Sequence, residues 1–227
     1  MPDPTSSAEI VACLKALADP ADKAKTAKRI PSEQVIGVRM RAVFDLAKQS
    51  MRVPLADVRT LLRSDWYEAR LVAVSILDFR ARAKRLSDDE RRALFDLYLA
   101  EHQYIDSWDL VDRAAPRVIG TYLIGRDHAP LFTLAGSASV WERRTAITAA
   151  FQLIRAGDLD TPIRLIDMLL EDPEHFVQTS VGTALRELHR ASPETTRDFL
   201  ARNGERLSST TRRLMRDSRA ASPRSGA

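Results

Sequence analysis

Apolar residues along this chain recur at helical rather than strand intervals. From position 71 to 79, Leu71, Val72, Val74, Ile76 and Phe79 are apolar while Ser75 and Asp78 are polar. That spacing follows a period of about 3.6 and breaks the strict alternation of a half-buried strand. No segment reads as a convincing run of strands. Prolines punctuate the pattern as helix stops at Pro20, Pro31, Pro54, Pro130, Pro162, Pro173 and Pro193, with Ser or Asp nearby to open the next helix. The pattern predicts an all-α chain of about ten to twelve helices joined by short loops.

A longer period lies over the shorter one. Tyr67, Tyr104, Trp141 and Phe176 are separated by 37, 37 and 35 residues, and each is expected to open a helical segment. Arg70, Arg144 and Thr179 stand three residues after Tyr67, Trp141 and Phe176. A unit of this length is one helical hairpin, which cannot bury its own apolar face and must stack on its neighbours. Near-even spacing by chance is the alternative. Stacked hairpins predict an α-solenoid whose inner helices line a concave wall, with Arg70 and Arg144 facing into it.

Composition narrows the function classes. The chain has 227 residues, 44% of them apolar, and only eight glycines, which suits a globular helical protein. No apolar run approaches the roughly 18 residues of a membrane span, and the first residues lack the basic flank and apolar stretch of a signal peptide. Cys13 cannot pair internally and reads as a small core residue in a reducing cytoplasm. His102, His128, His175 and His189 are scattered, so no metal site is expected, and nothing calls for a cofactor. The net charge of +4 is uneven: from Arg202 onward there are seven arginines against Glu205 and Asp217. Such an end is either a solvated tail or a phosphate-contacting element, in which Arg212, Arg213 and Arg216 would be the clamp. Residues 218–227 read as tail beyond a single domain over 1–217.

The chemistry is concentrated in Tyr104-Ile-Asp-Ser-Trp-Asp-Leu-Val-Asp112. On a helix, Trp108 and Asp112 project from one face a turn apart, which pairs a ring able to pack on a sugar with an anion able to stabilise a cation. A core tryptophan beside a solvated or capping aspartate is the plainer account of the same spacing. Asp109 reads as an ion-pair partner of Arg113, four residues on. Trp66 and Tyr67 read as packing residues, Trp141 as a packing residue that positions Arg144, and Arg80 to Arg85 as a solvated helix end.

Ser107-Trp-Asp-Leu-Val-Asp112, Val140-Trp-Glu-Arg-Arg-Thr-Ala-Ile147 and Phe176-Val-Gln-Thr-Ser-Val-Gly-Thr-Ala-Leu-Arg-Glu-Leu188 resemble the DNA alkylation repair family, the AlkD-type glycosylases. The similarity extends over roughly residues 8–217. It implies a right-handed α-solenoid of HEAT-like helical repeats with a concave DNA-binding groove, and excision of N3- or N7-alkylated purines from duplex DNA. By the same resemblance Asp112 is the catalytic carboxylate, Trp108 packs on the sugar of the lesion, and Arg144 holds a phosphate. A second tryptophan of that family falls at Thr183 here, a departure that implies either a wider cleft or a weakened one.

A purine alkylated at N3 or N7 is already cationic and leaves without a general acid, so the enzyme's task is to stabilise an oxocarbenium-like sugar. An anion held beside that sugar does so selectively in the transition state. The expectation is therefore a monomeric DNA glycosylase acting on double-stranded DNA, independent of membranes. Its rivals are a non-catalytic DNA-binding paralogue and a protein-interaction scaffold.

Overall fold

The computed structural model describes residues 3–220, with side chains through Met215, and among these residues every regular element is helical. The chain divides into two compact units, Met1–Ala114 and Ala115–Ala227. The first holds α1 (Ser7–Ala16), α2 (Pro20–Thr26), α3 (Met40–Gln49), α4 (Leu55–Leu62), α5 (Tyr67–Ala81), α6 (Asp88–Ala100) and all but the end of α7 (Trp108–Ala115). The second holds α8 (Thr121–Leu123), α9 (Ala129–Ala135), α10 (Val140–Arg155), α11 (Asp160–Met168), α12 (His175–Ala191), α13 (Pro193–Asn203) and α14 (Ser209–Ala220). None of the helices is long and apolar enough to cross a membrane, among the described residues.

Most of the prolines open helices rather than close them. Pro20 and Pro193 are the first residues of α2 and α13, Pro130 and Pro162 lie in the first turns of α9 and α11, and Pro54 caps α4. First-turn amides have no acceptor within the helix, so the missing proline N–H is not felt there.

In the first unit α5 is the central helix, packed by α1, α3, α4 and α6. Its apolar residues run around the whole circumference, and Leu71, Val72, Val74, Ile76 and Leu77 are all buried. Glu68 is buried with them, 1% exposed, and accepts hydrogen bonds from the backbone N–H groups of Ile36, Gly37 and Val38 at 3.0, 2.8 and 3.3 Å. Gly37 has φ +99°, and a Cβ there would lie 2.7 Å from the Asp19 carbonyl oxygen, so this loop and the start of α2 meet backbone to backbone.

The second unit stacks its helices in two layers. α10, α12 and α14 lie side by side, and α9 and α11 pack together behind them. Each hairpin thus buries its apolar face on the next, the arrangement of helical repeats in an α-solenoid. The π-helical turn Pro116–Gly120 packs on α10. A Cβ on Gly120 would lie 2.2 Å from the Ala149 carbonyl oxygen, an atom of the α10 backbone. Gly120→Ala is therefore expected to destabilise the protein by about 3 kcal/mol, the upper end for overpacking. In a chain of this size that lowers Tm by roughly 6–12 °C. Thermal unfolding followed by circular dichroism checks this; an unchanged midpoint would mean that α10 yields freely.

The repeat is present, but its phase differs from the aromatic spacing. Tyr104 lies in a short turn (His102–Tyr104), and the helix opens at Trp108 instead. Tyr67 is the first residue of α5, whereas Trp141 and Phe176 are the second residues of α10 and α12. Counting three residues from each helix start gives Arg70, Arg143 and Gln178, and these three do the same work. Arg70 donates to the Ser64 and Asp65 carbonyls at 3.0 and 3.3 Å, and Arg143 to those of Ser137 and Ala138 at 3.0 and 2.9 Å. Gln178 donates to Leu169, Leu170 and Asp172 at 3.1, 3.0 and 2.9 Å. Each closes the loop before its own helix. The two arginines also reach an aspartate in the loop before a later helix, Asp106 at 3.4 Å and Asp172 at 2.6 Å. A slip of one residue turns a helical position by about 100°, so Arg70 and Arg144 are not equivalent.

Three smaller expectations change. Arg80 is not solvated: it is half-buried and donates to the Met51 and Val53 carbonyls, and Arg82 pairs with the buried Asp78 at 2.8 Å. Cys13 is half-buried at the edge of a groove with Pro4, Leu17 and Leu46. α14 continues to Ala220, into the segment expected as tail; residues 221–227 lie outside the described residues.

Candidate active site

The site is built on α7. Leu110, Val111, Ala114 and Ala115 are fully buried, which fixes the rotation of the helix and leaves the opposite face to solvent. Trp108 (41% exposed) and Asp112 are both on that open face, a turn apart. An indole left this accessible has kept its apolar surface for something other than the core.

Polar contacts lock α7 at both ends. At the start, the Asp109 carboxylate accepts from the Ser107 hydroxyl at 2.7 Å and its own helix's Leu110 N–H at 3.1 Å. Its other oxygen accepts the Tyr67 hydroxyl and forms an ion pair with Arg29 at 2.6 Å. Arg29 also donates to the Tyr67 oxygen at 2.8 Å. At the end, Arg113 lies between the rings of Phe44 and Phe79 at 4.5 and 4.6 Å, donates to the Ser75 hydroxyl at 3.1 Å and pairs with Asp78 at 3.1 Å. The expected Asp109–Arg113 pair is therefore not formed. Each side chain finds its partners on other elements, Asp109 with Arg29 and Tyr67 and Arg113 with Asp78 and Ser75, so the two ends of α7 are pinned separately.

Arg29 belongs to the site and was not marked by the sequence. It sits in the turn after α2, with its guanidinium 5.0 Å from the centre of the Tyr67 ring and 5.8 Å from that of Trp108. Tyr67, expected only to pack, is indeed buried, but its hydroxyl completes the network. Burial first, and then the Asp109 charge, raise the Tyr67 pKa far above the ordinary phenol range, so it remains a neutral donor. Burial works against the Arg29 charge, but the Tyr67 and Asp109 contacts outweigh it and raise its pKa.

The two arginines expected to meet DNA are mostly enclosed. Arg70 is 5% exposed and committed to the loop carbonyls, Asp106 and the Gln34 side chain at 3.0 Å. Arg144 is 6% exposed and donates to the Phe176 carbonyl and, at 3.0 Å, to the Thr179 hydroxyl. Arg70 is thus held by the carbonyls of the loop before its own helix, and Arg144 by the first turn of α12. In that first turn of α12, Phe176 is exposed and its ring lies 5.2 Å from that of Trp141. Thr183 is half-buried and donates to the Thr179 carbonyl at 3.0 Å. Arg212 is exposed yet clasps the carbonyls of Gly204, Glu205 and Leu207 at 3.1, 2.9 and 3.0 Å. Arg213 is exposed, and the Arg216 side chain lies outside the described residues. No group of three or more His, Cys, Asp or Glu could hold a metal ion among the described residues.

The chain's similarities bear on the all-helical frame that carries these residues. A search of curated proteins finds no match. Among solved structures the fold is similar to a predicted DNA alkylation repair enzyme from Enterococcus faecalis, with a TM-score of 0.68 and 19% identity over 90% of this chain and 98% of that one. The family described as DNA alkylation repair enzyme matches residues 10–214, nearly the whole described chain, and this protein belongs to it.

Proposed function

We propose that the protein is a DNA glycosylase that removes cationic N3- or N7-alkylated purines from duplex DNA. The observation that carries this reading is the joint exposure of Trp108 and Asp112 on the free face of α7. The indole packs against the deoxyribose of the lesion, contributing roughly 0.5–2 kcal/mol of cation–π attraction as that sugar gains positive character. Asp112 faces the same charge and stabilises it where it develops, and it orients the attacking water. The leaving group is a neutral alkylpurine, so no side chain has to protonate it. Water supplies the hydroxyl that ends on C1′, and its proton passes to solvent.

This reading needs the pair to be open and fixed, and α7 is pinned by Asp109 at one end and Arg113 at the other. Neither a cofactor nor a metal takes part, and a monomer suffices. The cytoplasm is the compartment that matches a DNA-repair role.

Incubation of the protein with duplex DNA carrying N7-methylguanine or N3-methyladenine is expected to release the free modified base well above spontaneous depurination, measured by chromatography of the soluble fraction. Release no faster than the protein-free control would reject the glycosylase and leave a DNA-binding member of the family.

A further inference from the structure

Arg70 and Arg144 are enclosed, 5% and 6% exposed, while a more open arginine lies beside Trp108. Arg29 lies against the Trp108 ring with its side chain one-third exposed. Of its five N–H donors, one goes to Asp109 and one to Tyr67, so the remaining edge is available to a ligand beside the indole. The segment leading to it is basic and open: Lys23, Lys25 and Lys28 are all exposed, and only Lys25 has an ion-pair partner shown, Asp22 at 3.2 Å. A sugar packed on Trp108 carries its own phosphates next to that edge.

We propose that Arg29 is the phosphate-holding residue of the site, aimed by Asp109 and Tyr67 at a phosphate of the nucleotide whose sugar stacks on Trp108. This rests on the glycosylase reading for the position of the sugar. Two features of the geometry give Arg29 the role over the exposed lysines. A guanidinium fixed on one side offers a preset pair of donors to phosphate oxygens, where a lysine offers a mobile point charge. Asp109 also lies within ion-pair distance and cancels most of the charge that would otherwise oppose a cationic sugar nearby. Asp109 and Tyr67 are positioning residues here; neither touches the substrate.

The two sides of the pair therefore shift binding in opposite directions. Arg29→Ala is expected to weaken binding to a duplex containing a tetrahydrofuran abasic analogue by about tenfold. It should also reduce the slope of log affinity against log salt by about one. On a duplex with N7-methylguanine it raises KM and leaves kcat within about twofold. Asp109→Asn uncovers the guanidinium, so affinity holds or rises while kcat falls. Arg29→Lys keeps a cation beside Asp109, folds where the alanine variant fails to, and restores the salt slope but only part of the affinity. Arg92→Ala, which removes an exposed charge from α6, leaves affinity and slope unchanged. The proposal is overturned if Arg29→Ala retains wild-type affinity and slope, if Arg92→Ala lowers them as much, or if Asp109→Asn weakens DNA binding as Arg29→Ala does. If wild type binds the abasic duplex with the Arg29-dependent slope but releases no base, the phosphate contact stands and the glycosylase reading fails.

Discussion

Asp112→Asn is expected to slow release of N7-methylguanine by about 10²–10³-fold under single-turnover conditions, the cost of removing one preorganised electrostatic contact to a transition state. Asparagine matches aspartate in size and still accepts a hydrogen bond, so α7 keeps its place and Trp108 its exposure. What disappears is the negative charge facing the sugar. Because an anion close to phosphates repels them, the variant should bind abasic-analogue duplex as tightly as wild type or more so. The loss then falls on the chemical step and spares binding. Asp112 is exposed, whereas Asp109 is enclosed by Ser107, Tyr67 and Arg29, so the carboxylates separate cleanly. Single-turnover rates within threefold of wild type would remove Asp112 from the catalytic role and leave α7 a binding surface alone.

The helical architecture and the α7 pair were legible in the sequence because both rest on short-range periodicity. A spacing of four on a helix puts Trp108 and Asp112 on one face whatever surrounds them. The arginines were not legible, for a physical reason. Arg70, Arg80 and Arg143 lie beside loop carbonyls, and Arg144 beside the first turn of α12, and in each case the guanidinium is captured by backbone carbonyls. Nothing in the local sequence separates such a strut from a solvated charge. The aromatic spacing added a second error, since aligning Tyr67 with Trp141 misplaces the repeat by one residue and pairs Arg70 with the wrong arginine. Arg29 was hidden differently. Its partners Tyr67 and Asp109 are distant in sequence, and the positive charge of its segment is diluted in any whole-chain count by acidic residues elsewhere.

Glu68→Ala is expected to cost about 4 kcal/mol, the largest stability loss of any single substitution considered. Three backbone N–H groups in the loop at 36–38 end on this one buried carboxylate, and α5 offers them no other acceptor within the shown contacts. Each orphaned donor costs about 1–3 kcal/mol if the loop keeps its place. The loop will relax to recover part of that, which is why the full sum is not expected. For a chain of this length the midpoint of thermal unfolding falls by roughly 8–16 °C. The same substitution reaches the site through the backbone. Asp19 N–H donates to the Gly37 carbonyl at 2.8 Å while its side chain caps α2, and α2 leads directly to Arg29. Below its melting temperature the variant should therefore show the weakened DNA binding and shallower salt slope of Arg29→Ala, with the single-turnover rate at saturating protein largely kept. Glu68→Gln, which retains one carbonyl acceptor but turns an amide N–H toward the loop donors, should fall between wild type and Glu68→Ala in both measurements. Calorimetry showing Glu68→Ala within 2 °C of wild type would mean that the loop satisfies its amides elsewhere, and that Arg29 is held by Asp109 and Tyr67 without help from α2.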